Sequence, residues 1–139
     1  SSDLKISGPL LDRIDIHIEV PSLHCREMVS KVPAESSNTI RDRVLRAQEK
    51  QRKRYRRGNS CLNAHLSRKG IDTHCEVSAE AEEMLKVAIL ELGLSARAYD
   101  KVLKIGRTIA DLAEAEKVET AHIAEAIGYR ALDKNLWKL

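Results

Sequence analysis

Apolar and polar side chains alternate along residues 14–20. Isoleucine or valine occupies every second position and polar residues stand between them, as Ile14, Ile16, Ile18 and Val20 against Asp15, His17 and Glu19. A period of two is typical of a strand with one buried face. Gly8-Pro9 precedes this run and predicts a turn. Arg13 is therefore expected to lie where a turn enters a strand.

A second pattern, with apolar positions three and four residues apart, follows the linker that begins at Pro33. The positions are Ile40, Val44, Ala47, Gln51 and Tyr55. This spacing is typical of one face of a helix. Thr39 with Asp42 resembles a capping box, which predicts that the helix begins there. Gly58-Asn59 is expected to end it.

Residues 61–75 have no regular period. We predict only a short helical turn at residues 62–66 in this stretch, with Gly70 closing it. This stretch is interpreted as a linking segment.

The pattern of apolar and capping residues in the last two-fifths of the chain predicts three helices with short connections. Ser78 is expected to cap the first helix, which stops at Gly93. Ser95 is expected to cap the second, and Thr120 to open a third that ends at Arg130. The apolar positions of the first two helices are Met84, Leu85, Val87, Ala88 and Leu92, and Val102, Ile105, Ile109 and Leu112. We therefore predict a mainly α protein that ends in a helical bundle.

Composition supports packed helices and excludes several classes of protein. The chain has 139 residues, and with 3% aromatic residues and no Phe its core must be aliphatic. It has no apolar run of membrane-spanning length and no signal-peptide pattern. Cys25, Cys61 and Cys75 lack CxxC spacing, which predicts a reduced, cytoplasmic protein. The spacing of its Cys and His residues predicts no metal site.

Positive charge is concentrated in the middle of the chain. Residues 41–69 carry eleven Lys or Arg against two acids, whereas residues 76–126 carry six against eleven. A basic helix attracts a phosphate backbone, and the candidate nucleic-acid contacts are Arg43, Arg46, Lys50, Arg52, Lys53, Arg54, Arg56 and Arg57. The alternative is a solvated helix that packs lightly on the rest of the protein. Nothing in this pattern predicts sequence-specific recognition, because aromatic platforms are lacking.

Separated blocks of the sequence also carry a family resemblance. They are KISGPLLDRID at residues 5–15, LSARAYDKVLK at 94–104 and RTIADL at 107–112, with shorter matches around 43–48, 63–64, 122–126 and 129–133. In this order they closely resemble the magnesium-chelatase-like AAA+ ATPases of bacteria, in particular the ComM/YifB branch.

The resemblance implies three parts. Residues 1–32 would be a remnant of the ATPase core with one strand, residues 33–75 the basic helix and linking segment, and residues 76–139 the helical lid. It further implies ATP and magnesium as ligands of the full-length protein, self-association into a ring that is expected to be a hexamer, and DNA as the substrate of the motor.

Two arginines take roles through the resemblance. Arg13 matches the arginine finger, which reaches across a subunit interface to the γ-phosphate of a neighbour's ATP. Arg97 matches the second-sensor arginine of the lid, which contacts nucleotide phosphates. Spacing alone leaves other interpretations open: Arg13 could form an ion pair with Asp12 or Asp15, and Arg97 could be a solvated residue of a first helical turn.

Parts of an ATPase site are absent from the sequence. It contains no GxxxxGK[ST] loop and no apolar strand that ends in paired acids. We therefore expect this chain to be a C-terminal fragment that by itself binds no nucleotide or metal and hydrolyses no ATP. Three functions remain: the lid and interface part of a ring ATPase, a nucleic-acid-binding helical module, or a structural helical domain that binds a partner.

Overall fold

The structure, a computed structural model, describes residues 7–22, 24–56 and 62–130. Its helices are α1 (Gly8–Arg13), α2 (Cys25–Met28), α3 (Ser37–Arg54), α4 (Arg68–His74), α5 (Ala79–Leu92), α6 (Ala96–Leu112) and α7 (Thr120–Gly128), with a 3₁₀ turn at Asn63–His65. Within these ranges there is no strand, only an isolated parallel bridge between Val77 and Val118. The predicted mainly α class is confirmed. None of the described helices is long and apolar enough to cross a bilayer.

Serine side chains open the long helices. The side chains of Ser36, Ser78 and Ser95 each accept a hydrogen bond from the backbone N–H three residues further on, which satisfies a donor that the helix itself leaves unpaired. The predicted caps at Ser78 and Ser95 are confirmed. The predicted Thr39 cap is wrong, because the N–H of Thr39 donates to Ser36 and α3 begins earlier. Gly93 ends α5 with a φ of 62°, as predicted.

Helix α6 lies at the centre of the bundle. It packs against α3, α4, α7 and the 3₁₀ turn, and α7 also packs against α5. The core combines residues of these helices with residues of their connections. Among its members are Tyr55, Leu66, Ile71, Leu85, Val102, Ile105, Ala110 and Ile123. Gly106 allows close contact between α6 and α7, because a Cβ there would lie 2.9 Å from Ile123 Cδ1 and 3.3 Å from Val118 Cγ1.

Residues 14–20 do not form the predicted strand. They run beside the bundle without pairing to a strand in the described part of the chain, and Ile18 and Val20 are exposed. A strand needs a neighbour to pair its backbone groups, and the described residues supply none. Helix α1 replaces the predicted turn: Ser7 caps it, and Pro9 occupies its first turn, where a missing N–H costs no helical hydrogen bond.

Smaller differences concern single positions. Gly70 lies inside α4 instead of closing the linking segment, while the helical turn predicted just before it is the 3₁₀ turn. Leu85 and Ala88 are buried, but Val87 is exposed. Positions 85 and 87 differ by about 200° around a helix, so they cannot share its buried face. The stop predicted at Gly58-Asn59 lies outside the described residues.

Candidate functional site

Arg97 lies in the first turn of α6 beside the end of α1. Its Nη1 donates to Oδ2 of Asp12 at 3.3 Å, and the hydroxyl of Ser95 donates to the other oxygen of the same carboxylate at 3.1 Å. The Arg97 side chain is 59% exposed. Backbone N–H groups at the start of a helix favour anions, so Arg97 presents a cation to solvent where an anion is already favoured.

Arg13 is the last residue of α1 and is exposed. The interpretation in which it pairs with Asp12 or Asp15 is wrong: Asp12 pairs with Arg97, and Asp15 pairs with Lys101 Nζ at 2.9 Å. Arg13 forms no ion pair within the described ranges. Its planar set of donors is therefore open to an anion outside this chain.

Contacts to the backbone fix the segment that follows α1. The guanidinium of Arg130 donates to the carbonyl of Ile14 and, at 3.1 Å, to that of Asp15. The N–H of His17 donates to the carbonyl of Tyr129 at 2.8 Å. This anchor was not predicted, although Arg130 stood in one of the resembling blocks, because helical spacing does not indicate a side chain that binds a distant backbone.

Cations of α3 and of the turn that follows it form a surface that we call the basic face, made of Arg46, Lys50, Arg52, Lys53 and Arg56, of which Lys50 is half-buried and the others are exposed. Three of them lie near acids at long distances: Arg46 is 3.9 Å from Glu114, while Arg52 and Lys53 are 4.0 and 3.6 Å from Glu49. Exposed pairs of this kind are weak. Lys50 and Arg56 have no ion pair within the described part, so the face keeps most of its positive charge. Arg57 lies outside the described residues.

Arg43 differs from the basic face, because its guanidinium is held by the linker. It donates through both terminal nitrogens to the Glu35 carboxylate, at 2.6 and 3.2 Å. These hydrogen bonds lower the pKa of Glu35 and raise that of Arg43. Arg43 thus ties the start of α3 to the preceding segment.

Arg54 points into the bundle. Its two terminal nitrogens donate to the two carboxylate oxygens of Asp111 on α6, at 2.9 and 2.5 Å. Its side chain is 21% exposed and that of Asp111 is fully buried. The sequence placed Arg54 among the candidate nucleic-acid contacts, whereas the structure directs its guanidinium away from the basic face.

Asn63 and Arg107 complete a buried polar network around Asp111. Asn63 Nδ2 donates to Asp111 at 2.9 Å, and its amide oxygen accepts from the hydroxyl of Tyr55 at 2.6 Å. Arg107 donates to Asp111 at 3.0 Å and also to the carbonyl of Ala115 at 2.9 Å. The network therefore joins α3, the 3₁₀ turn and α6.

The charges in this network set the protonation of Asp111. Burial on its own raises the pKa of a carboxyl group. Hydrogen bonds from Arg54 and Asn63, together with the charge of Arg107, outweigh that effect and hold the pKa of Asp111 below its ordinary value. Asp111 is thus an ionised carboxylate that accepts hydrogen bonds from two positively charged arginines.

A cleft of about 690 Å³ lies between residues 14–20 and α6. Its walls are mainly apolar, and its lining includes Ile16, Ile18, Ile105, Ile109, Leu112 and Tyr129, with Lys101 and Lys104 among the charged residues. Arg13 and Arg97 do not line it. An anion that meets these arginines would therefore bind outside the cleft.

Metal ligands do not cluster in the described residues. No group of three or more His, Cys, Asp or Glu side chains in those ranges could hold an ion. Cys75 is buried, and this burial raises the pKa of its thiol to about 11. A thiol in that state is a poor ligand, because metals bind the thiolate. Cys61 lies outside the described residues.

Comparison with known proteins places this arrangement in a family. Residues 34–130 match the family described as magnesium chelatase, subunit ChlI C-terminal. The chain is 40% identical over 134 residues to the YifB protein of Escherichia coli strain K12, covering 95% of this chain and 26% of that protein. It is 40% identical over 136 residues to the competence protein ComM of Haemophilus influenzae, covering 97% and 26%. For YifB of Salmonella typhimurium the identity is 36% over 139 residues, covering 95% and 26%.

These matches cover nearly all of this chain but only about a quarter of each relative. The region matched by the family runs from the linker before α3 to the Arg130 anchor, and so includes the buried network and Arg97. The chain belongs to the magnesium chelatase ChlI C-terminal family and is similar to YifB and ComM over almost its whole length.

Proposed function

We propose that this chain is the lid and subunit-interface part of an oligomeric ATPase in the cytoplasm, with Arg13 as its arginine finger and Arg97 as its second-sensor arginine. The contact between Asp12 and Arg97 carries this proposal. Asp12 precedes Arg13 and pairs with Arg97, so the end of α1 that carries Arg13 lies beside the start of α6 that carries Arg97. Two cations so placed suit the phosphates of a single nucleotide, held by a neighbouring subunit.

The chemistry of phosphoryl transfer explains why two arginines would serve. Negative charge spreads over the oxygens of the transferring group, and positioned guanidinium groups stabilise it. Arg13, exposed and unpaired in the described part, suits a contact made in the transition state. Arg97, at a helix N-terminus, suits a contact to the bound ground-state phosphates.

The rest of the site must come from outside this sequence, which contains no phosphate-binding loop. In the complete ATPase we place ATP and its magnesium ion on a P-loop domain. Residues 1–32 would be the last piece of that core, residues 33–75 the basic helix with its linking segment, and residues 76–139 the lid. A ring, with six subunits as the expected number, would bring each Arg13 to a neighbour's nucleotide.

Arg97→Ala tests the phosphate contact. In the complete ATPase this change should weaken binding of a nonhydrolysable ATP analogue by about 10- to 100-fold, because a hydrogen bond to a charged group contributes about 1.5–3 kcal/mol. Isothermal titration calorimetry measures this affinity. Arg68→Ala is the matched control, since Arg68 is 58% exposed and pairs with Asp100 as Arg97 pairs with Asp12. Equal affinities for the two variants would refute the assignment of Arg97.

The basic face supports DNA as the substrate of this motor, and a nucleic-acid-binding module as the alternative function. Four of its five cations lie on α3 and Arg56 follows directly after the helix, and the acids near them are only loosely paired. Neutralising phosphates releases counterions, so affinity would fall steeply with salt. Arg54 does not belong to this surface, and Arg43 is occupied by Glu35.

Lys53→Ala should reduce DNA binding by this chain at low salt. It should also make the slope of log affinity against log salt shallower by about 1, as expected for one lost phosphate contact. Fluorescence anisotropy with labelled duplex and single-stranded DNA at several salt concentrations gives both quantities. Lys86→Ala is the control, because Lys86 on α5 has nearly the same exposure, 59% against 60%, and a similar pair to Glu82. Equal slopes for the two variants would exclude the basic face as the contact surface.

A further inference from the structure

Asp12 holds Arg97 by one oxygen and Ser95 by the other. The Ser95 hydroxyl is itself fixed, because its oxygen accepts from the N–H of Ala98 at 3.1 Å as the cap of α6. The carboxylate therefore sits in a defined position at the start of α6, where a helix favours an anion. The Asp12 carboxylate therefore occupies the position beside Arg97 that a phosphate group would need in order to accept hydrogen bonds from Arg97.

This contact is weak enough to be exchanged. Arg97 is 59% exposed and Asp12 33% exposed, and ion pairs at such exposure contribute little to stability. A nucleotide phosphate carries more charge than a carboxylate and forms stronger charge-assisted hydrogen bonds with arginine. A phosphate that arrives at Arg97 can therefore displace Asp12.

Displacement of Asp12 would act on Arg13 next to it. None of the residues of α1 is buried, and Asp12 is its link to the start of α6. The following segment stays fixed by Arg130, and the Leu11 carbonyl faces the imidazole Nε2 of His17 in that segment at 3.1 Å. Arg13 lies between Asp12 and the segment that Arg130 fixes, so losing the Asp12 contact lets α1 pivot about its remaining attachments at Leu11 and Ile14 and carry Arg13 with it.

We propose that Asp12 is a positioning residue that occupies Arg97 until nucleotide phosphate replaces it, and that this exchange releases α1 and lets Arg13 approach the same nucleotide. This inference rests on the proposed function, because it takes Arg97 as a phosphate contact. It also explains why Asp12 lies next to Arg13: the Asp12 carboxylate pairs with Arg97 until a neighbouring subunit supplies ATP.

Asp12→Asn tests the exchange in the complete ATPase. The amide keeps the shape of the side chain but removes its charge, so binding of the nonhydrolysable ATP analogue should become about two- to fivefold tighter. Asp100→Asn is the matched control: Asp100 lies in α6 close to Arg97 in the sequence, is 32% exposed and pairs with a 58% exposed arginine. It should leave the affinity unchanged. A gain in affinity is informative, because misfolding would produce a loss.

The outcomes separate this inference from the proposed function. If Arg97→Ala weakens binding and Asp12→Asn leaves it unchanged, Asp12 is no placeholder and only the inference fails. If Arg97→Ala has no effect, the proposed function fails, and the inference with it. A gain that Asp100→Asn reproduces would be a general charge effect and would also overturn the inference.

Hydrogen exchange gives a second readout on this chain without nucleotide. Asp12→Asn should speed exchange of the Leu11 amide, which donates to the Ser7 carbonyl within α1, about two- to fivefold. The N–H of His17, bound to Tyr129, should keep its rate. Unchanged exchange at Leu11 would show that Asp12 does not hold α1, and would overturn the proposed release.

Discussion

Replacing Arg13 with alanine will lower the kcat of the complete ATPase by about 10³-fold or more while leaving nucleotide affinity nearly unchanged. Arg13 is exposed at the end of α1, and its expected partners within the chain bind Arg97 and Lys101 instead. Because Arg13 has no ion pair in the described part of the chain, it gives up no internal contact when it meets a phosphate. It gains most when charge develops in transfer, so its removal should affect the chemical step more than binding.

Two further variants sharpen this prediction. Arg13→Lys keeps the charge but loses the planar set of donors, so it should recover only part of the rate. Arg41→Ala is the control, because Arg41 is exposed and forms no ion pair in the described part of the chain. Steady-state hydrolysis without DNA measures all three. Retained turnover in Arg13→Ala would exclude this residue as the arginine finger.

Mixed rings show whether Arg13 acts on a neighbour. In the proposed ring, subunits with Arg13→Ala would keep an intact P-loop, and subunits with a disabled P-loop lysine would keep an intact Arg13. Mixing the two inactive proteins should restore hydrolysis, because some interfaces then combine a working P-loop with a working arginine. Without restored activity, Arg13 would have to act within its own subunit or not at all.

The parts of the fold that could be predicted are those set by local chemistry. Ser78 and Ser95 cap helices because their hydroxyls satisfy nearby N–H groups, and Gly93 stops α5 because it adopts a positive φ without a Cβ. Each of these interactions joins residues a few positions apart. They needed only the sequence, and the structure confirms them.

The N-terminal segment could not be predicted in this way. Its alternation of apolar and polar residues fits a strand, but a strand also depends on a second chain segment to pair with. Here Arg130, more than a hundred positions away, binds the carbonyls of Ile14 and Asp15. Such contacts depend on how the bundle closes, which no local period encodes.

The contact between Arg54 and Asp111 could not be predicted either, because the two residues are 57 positions apart in the sequence. In the sequence Arg54 is one of many cations on a basic helix, and Asp111 is one acid on α6. Asp111 nevertheless interrupts the apolar face of α6, four positions after Arg107. An acid and a base at that spacing among apolar residues are the signal that could have indicated a buried pair.

Replacing Asp111 with alanine should destabilise this chain by about 3–5 kcal/mol. The change leaves the charge of Arg107, whose side chain is 4% exposed, without its carboxylate, and it also removes the partner of Arg54. Urea unfolding followed by helical circular dichroism measures the loss. Asp100→Ala removes an exposed ion pair from the same helix and should cost less than about 1 kcal/mol. Equal losses would show that the buried network contributes no more than a surface pair.

The stability gained from the Asp111 charge should also depend on pH. Burial raises the pKa of this group, but hydrogen bonds from Arg54 and Asn63 outweigh burial and hold it below the ordinary value of 3.8. The folded state therefore binds a proton less readily than the unfolded state, and the stabilisation is fully present above the ordinary pKa. As the pH falls below that value toward the lower folded-state pKa, the stabilisation is lost. The difference in unfolding free energy between this chain and Asp111→Asn should thus shrink in acid, and a difference that stays constant from neutral pH to pH ~2 would contradict the lowered pKa.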